Sequence, residues 1–314
     1  MKNSFFIISI LIFIMSCSSP KLNEVELVID SKSELGEGAL WNPETGELLW
    51  IDIKGKILNF FNPVIGNNKE MFTGQMIGTV VPTESGEVLV ALQNGIYWFN
   101  AETGSKTLII DPEAHLPDNR FNDGKCDPSG RFWAGTMSTK GEKEVGALYR
   151  LDADSSIHKM VENVSISNGI VWSLDRTKMY YIDTPTQKVM AYDYNDETGE
   201  ISNPKVAVNV PEEMGSPDGM TIDSEGNVWV ALWGGYAVGC WNPVTGKLLR
   251  TIKVPAKNVT SCAFGDDDLG ALYITSARTG TNDDELKKVP NAGGVFKIRP
   301  GVKGVEAFFY NDIK

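Results

Sequence analysis

Beyond residue 24 the chain is a succession of short segments in which apolar and polar residues alternate, interrupted by turns rich in Gly, Pro, Asn and Asp. A period of two marks half-buried β-strands, and these turn residues end them. Sustained helical periodicity is absent after residue 17; Asp284 to Lys288 has room for one turn. The strands fall into a repeating unit: a polar or small residue, three intervening residues, an apolar anchor, a turn, then an alternating strand. Its clear copies are Glu37-Gly-Ala-Leu-Trp41, Asn122-Asp-Gly-Lys-Cys126, Asn168-Gly-Ile-Val-Trp172 and Asp218-Gly-Met-Thr-Ile222. Weaker copies are Ile77-Gly-Thr-Val-Val81 and Thr260-Ser-Cys-Ala-Phe264. Turns such as Asn42-Pro-Glu-Thr-Gly46, Asp127-Pro-Ser-Gly130 and Asp223-Ser-Glu-Gly226 follow the anchors, leading into strands at 48–53, 131–134 and 227–231.

The anchors at 41, 81, 126, 172, 222 and 264 lie 40 to 50 residues apart. That spacing holds about four short strands and their turns, the content of one propeller blade. The expectation is an all-β, single-domain, six-bladed β-propeller over residues 25–314. A β-sandwich has similar strands but no reason to repeat its turn motif at this period. Closing the ring requires a shared blade, completed either by the segment after Lys21 or by final strands at 294–298 and 305–310.

In a propeller the innermost strand of each blade lines the central channel, so equivalent positions face one another across it. The position four residues before each anchor holds Glu37, Ile77, Asn122, Asn168, Asp218 and Thr260. Four of these carry a carboxylate or carboxamide, and neither Cys nor His joins them. Oxygen ligands suit a hard divalent cation, Ca²⁺ before Mg²⁺, with Mn²⁺ or Zn²⁺ as further candidates. Asn-Gly and Asp-Gly also make ordinary turns; that reading does not explain why Glu37 takes the same slot.

Other chemistries find no residues. The two histidines, His115 and His158, form no HExxH, and Gly215-Ser-Pro-Asp-Gly219 is not a nucleophile elbow. The net charge is −12 without a basic run, which argues against nucleic acid. Cys126, Cys240 and Cys262 match no metal-knuckle spacing; small buried residues are expected, and sequence leaves a disulfide open.

The N-terminus reads as a processing signal, residues 1–16. Lys2 precedes the apolar stretch Phe5 to Met15, whose eleven residues would rise only about 16 Å as a helix, too short to span a bilayer. Ile14-Met15-Ser16-Cys17 resembles a bacterial lipobox, which implies lipidation at Cys17, a tether over 17–24 and a place in the cell envelope, periplasmic or surface-facing.

Several motifs carry a further resemblance. Ser33-Glu-Leu-Gly-Glu-Gly-Ala-Leu-Trp41, Arg120-Phe-Asn-Asp-Gly-Lys125, Ala134-Gly-Thr-Met137, Ile166-Ser-Asn-Gly169, Ser216-Pro-Asp-Gly-Met220 and Thr260-Ser-Cys-Ala-Phe264 resemble the regucalcin/gluconolactonase family, in family order. The resemblance implies a six-bladed propeller with one axial divalent cation. It implies Glu37, Asn168 and Asp218 as metal ligands, Asp218 also as catalytic acid/base, and Arg120 and Asn122 as substrate contacts. The implied reaction is hydrolysis of a small sugar-type lactone. One departure stands out: Lys140 occupies a position where regucalcin-like members place an acidic sugar contact. Two alternatives remain at this point, a phosphotriesterase-like ester hydrolase on the same site and a non-catalytic Ca²⁺-binding interaction propeller. A lactone panel assayed with and without chelator separates the three.

Overall fold

The computed structural model describes residues 24–312. They form six four-stranded antiparallel sheets, and in the first five the strands follow chain order from one edge to the other. Blades 1 to 5 span residues 36–72, 77–110, 119–164, 167–209 and 216–253. Blade 6 takes three strands from 258–298 and its outermost strand, Glu26–Ile29, from the start of the chain. The ring therefore closes through the segment after Lys21, the first of the two expected routes. Residues 305–310, expected as a strand, add none to any blade. The helical turn is present as Asp283–Lys288, capped by Asn282 and Glu285 acting reciprocally.

The first strand of each blade is its innermost and is almost wholly buried: Gly36–Asn42, Ile77–Pro82, Asn119–Cys126, Ser167–Trp172, Ser216–Ile222 and Asn258–Gly265. All six lose pairing register at the same place, between residues 37 and 40, 77 and 79, 121 and 124, 167 and 170, 217 and 220, and 259 and 262. A bulge bends the strand and re-aims a side chain. Here Asn122, Asn168, Asp218 and Thr260 lie inside the irregularity, while Glu37 and Ile77 sit at its edge, still paired with Ile51 and Leu92. The following glycines have a steric reason. A Cβ at Gly169 would lie 2.8 Å from the Asp218 carbonyl oxygen, and one at Gly78 would lie 2.5 Å from the Phe121 backbone.

Large apolar residues fill the spaces between blades, among them Trp50, Trp133, Trp229 and Trp241. Trp133 and Trp229 direct their indole N–H onto Asp127 and Asp223 at 2.9 and 2.8 Å, acids of the anchor turns. Cys126, Cys240 and Cys262 are buried free thiols, in line with packing residues.

Residues 303–311 cross the face of the ring opposite the slots. Ser224 N–H bonds the Lys303 carbonyl at 2.8 Å and Gly304 N–H the Leu269 carbonyl at 2.9 Å, holding one end of this strap. Tyr310 bonds the backbone of Pro82 and Glu84, and Asn311 that of Gly130, at the other. Tyr310 is buried, edge-on to Trp98, with its hydroxyl on the Asp152 carbonyl at 2.8 Å. Removing such a side chain leaves a cavity and unpaired polar atoms. Tyr310→Ala should cost about 3 kcal/mol, read as a lower midpoint in urea unfolding at unchanged slope.

Candidate active site on the propeller axis

Four blades deliver the polar slot residues to one place. Glu37 comes from blade 1, Arg120 and Asn122 from blade 3, Asn168 from blade 4 and Asp218 from blade 5, all less than a tenth exposed. The Glu37 and Asp218 carboxyls lie within hydrogen-bonding contact of each other, and Asn168 contacts Asp218. Asn122 donates from Nδ2 to the Ser167 carbonyl at 2.7 Å and to Asn168 Oδ1 at 3.4 Å. Arg120 donates from one terminal nitrogen to Asn122 Oδ1 at 2.7 Å and to the Phe121 carbonyl at 2.8 Å. Asn122 thus bridges Arg120 to blade 4, with its oxygen already accepting from the guanidinium.

The two remaining slots contribute no carboxylate or carboxamide. Ile77 is fully buried. Thr260 donates to the Gly36 carbonyl at 2.5 Å, tying blade 6 to blade 1 beside Glu37.

Taking carboxylates out of water favours their neutral form. Burial pushes Glu37 up to about 8, with the Asp123 charge adding to it, against relief from the Gly38 N–H and Arg120. Asp218 is driven well above the usual carboxylate range, first by burial and then by the charges of Glu37 and Asp123. Burial also pulls Arg120 down to about 10, opposed by Glu37 and Asp218. The set is short of positive charge.

That shortage is the test of a cation. The donors are all oxygen, two of them carboxylates raised by burial and by neighbouring carboxylate charge, Asp123 on Glu37 and both Glu37 and Asp123 on Asp218, and a divalent ion would relieve both causes. Among the described residues no group of three or more His, Cys, Asp and Glu is placed to hold a metal. The axial set has two such residues, with carboxamide oxygen as its further donor, which matches the oxygen preference of Ca²⁺.

Several residues here escape the repeat. Asp123 follows Asn122 where blades 1, 2, 4 and 5 have glycine; its Oδ1 accepts from Gly124 N–H at 2.7 Å, while its buried Oδ2 has no hydrogen-bond partner. The Lys125 ammonium donates to the Met220 carbonyl and faces Asp123 electrostatically. Asp52 accepts from the N–H of Glu34 and Leu35 at 2.9 and 3.0 Å, fixing the approach to Glu37. Asp183 does the same for Asn168 through Ser165 and Ile166, at 3.2 and 2.9 Å. Lys140 is exposed and paired with Asp118 at 2.5 Å. On the opposite face, a cavity of about 420 Å³ beneath the strap is lined by Trp41, Trp172, Phe264 and Phe308, and takes in none of the slot residues. Cys17 lies outside the described residues.

Residues 35–278 match the model of the SMP-30/Gluconolactonase/LRE-like region. The chain belongs to this family. Among its SMP-30/gluconolactonase relatives, regucalcin of Danio rerio is 40% identical over 290 residues, covering 91% of this chain and 98% of that one. A Bacillus subtilis protein provisionally named a sugar lactone lactonase is 42% identical over 273 residues, covering 87% and 94%. The crystal structure of regucalcin from Agrobacterium tumefaciens, described as a calcium-binding protein, superposes with a TM-score of 0.88 at 29% identity, covering 94% of this chain and 99% of the other. A gluconolactonase from Xanthomonas campestris, at 20% identity and a TM-score of 0.71 over 90% and 89%, shares the fold. The motifs that carried the resemblance lie on the inner strands or beside them, in the part of the family's fold that faces the axis.

Proposed function

We propose that the protein hydrolyses a small sugar-type lactone with the help of one divalent cation, Ca²⁺ by preference. The observation that carries this is the pair of buried, hydrogen-bonded carboxyls of Glu37 and Asp218, both raised above the usual carboxylate range chiefly by burial, set beside the Asn168 carboxamide and the Arg120 guanidinium. Glu37, Asn168 and Asp218 would hold the cation, which when bound supplies Lewis-acid polarisation of the lactone carbonyl.

The remaining steps belong to the chain. Arg120 offers the planar fork suited to gripping substrate oxygens, and Asn122 sets its direction through the 2.7 Å hydrogen bond. Asp218 accepts a proton from the attacking water and returns it to the ring oxygen as the ester bond breaks. A carboxylate that both coordinates and takes up a proton must use different oxygens for the two tasks.

Arg120→Lys keeps the charge but loses the fork. The Michaelis constant should rise about tenfold with turnover changed far less, measured as separate kcat and KM values on gluconolactone. The function itself is tested with the purified soluble domain on a panel of aldonolactones, phosphotriesters and aryl esters, with Ca²⁺ and with chelator. Chelator-sensitive lactone hydrolysis is the expected result. Ester or phosphotriester turnover without lactonase activity moves the reaction to those bonds, and binding of Ca²⁺ without any hydrolysis makes the molecule a binding propeller.

We further propose that the protein is held in the bacterial envelope by a lipid on Cys17. The strand Glu26–Ile29 runs antiparallel to Val295–Ile298, so the described chain begins on the face opposite the slots. A tether from that face leaves the axial site directed away from the lipid. Cys17→Ser should move the protein from the membrane fraction to the soluble fraction without altering its urea unfolding; retention after a high-salt wash would show another mode of attachment.

A further inference from the structure

Asn168 presents a problem of orientation. Its carboxamide has an oxygen at one corner and an NH₂ at the other, nearly alike in shape, and only the oxygen can serve a cation. Something must keep the NH₂ from turning toward the ion.

Thr184 is placed to do this. It begins the short 3₁₀ turn Thr184–Thr186 that follows the second strand of blade 4. Asn168 Nδ2 donates to Thr184 Oγ1 at 2.8 Å. The hydroxyl proton of Thr184 is itself committed to the Pro217 carbonyl, also at 2.8 Å. A hydroxyl has one proton; with it spent on Pro217, Oγ1 faces Asn168 with lone pairs alone. It accepts from NH₂ and has nothing to offer an oxygen. The carboxamide is therefore held with Nδ2 toward Thr184, its second N–H within reach of the Asp218 carboxyl, and Oδ1 on the side of Asn122, whose Nδ2 lies 3.4 Å from it.

The turn that carries Thr184 is itself fixed. Asp183 accepts from Ser165 and Ile166 N–H, just before the strand of Asn168, and Thr186 Oγ1 donates to the Asp183 carbonyl at 2.7 Å. Pro217, at the other end of the relay, immediately precedes Asp218. One hydroxyl thus links the blade 4 slot to the blade 5 slot.

We propose that Thr184 is a positioning residue for cation binding, which sets the oxygen of Asn168 toward the ion and fixes the strand of Asp218 relative to it. This rests on the reading of Asn168 and Asp218 as metal ligands. Partners of metal ligands commonly influence affinity by 10- to 100-fold.

The test is Ca²⁺ titration calorimetry on the purified domain, with far-UV circular dichroism and melting in chelator as the control for folding. Thr184→Val removes the hydroxyl at nearly constant shape and should weaken Ca²⁺ binding at least about tenfold; Thr184→Ser, which keeps the hydroxyl, should bind within a few-fold of wild type. The discriminating variant is Asn168→Asp, because a carboxylate presents oxygen whichever way it turns. In that background Thr184→Val should lose most of its penalty, a result that general loosening of the turn would not give. The proposal fails if Thr184→Val binds as tightly as wild type, if Thr184→Ser is as weak as Thr184→Val, or if the penalty persists unchanged beside Asn168→Asp. A wild type that takes up no divalent cation overturns the metal reading and this proposal with it, an outcome distinct from a loss confined to the variant.

Discussion

Asp218→Asn should lower lactone turnover by about 10²-fold or more, the weight usually carried by a general base. The substitution keeps the side chain's size and one oxygen for coordination, and removes the charge and the proton acceptor. Because Asp218 is also a proposed ligand, Ca²⁺ affinity should fall as well, and the measurement belongs at saturating Ca²⁺. There the remaining defect should sit in kcat with KM little changed, since the interaction lost is one made during proton transfer. Glu37→Gln supplies the contrast. It removes a neighbouring carboxylate and one source of repulsion on Asp218, so its defect should shrink as Ca²⁺ is raised, while that of Asp218→Asn should persist. Turnover near wild type in saturated Asp218→Asn would assign the proton to another group.

The parts of this site that repeat were legible in the chain, and the parts that do not repeat were not. Glu37, Asn122, Asn168 and Asp218 stood out because each lies four residues before an apolar anchor, and the irregularity common to all six inner strands falls on that slot or at its edge. Arg120 came from family likeness alone; as a single Arg it reads as a surface cation, whereas the structure buries it against Asn122. Asp123 fills a position held by glycine in blades 1, 2, 4 and 5, so the repeat gave no reason to look at it. Thr184, Asp183 and Asp52 act from the ends of second strands, and hydrogen bonding across blades has no trace in spacing. Asp52 and Asp183 do occupy matching positions in blades 1 and 4, a weak internal echo that could have marked them. The strap reads as a strand in the sequence for a related reason. Residues 305–310 carry strand-like apolar residues, but Phe308 and Tyr310 serve to cover the end of the ring and lock to blades 2 and 3.

The same carboxyl pair should tie stability to pH and to the proposed cation. Glu37 rises from 4.5 to about 8 on folding, and Asp218 shifts in the same direction. Between those values the folded protein keeps protons that the unfolded chain has released. Stability must then decline as pH rises through this window, and the pair carries no such penalty below it. Ca²⁺ held by this pair, as proposed, would reverse the preference, since it would favour the ionised carboxylates and drive the protons off. In chelator the melting temperature should therefore fall between pH 5 and 8, once the contribution of other groups is fixed by the Glu37→Gln/Asp218→Asn variant. With Ca²⁺ at about a hundred times its dissociation constant, the wild type should melt about 5 °C or more higher at pH 8, and the gain should narrow toward pH 5. Calorimetry in buffers of different ionisation enthalpy should show protons released as Ca²⁺ binds near pH 7, and none in the double variant. A melting temperature in chelator that is flat or rising across this range relative to that variant, or Ca²⁺ binding without proton release, would mean that the two carboxyls are already ionised and that the cation, if it binds, is held elsewhere.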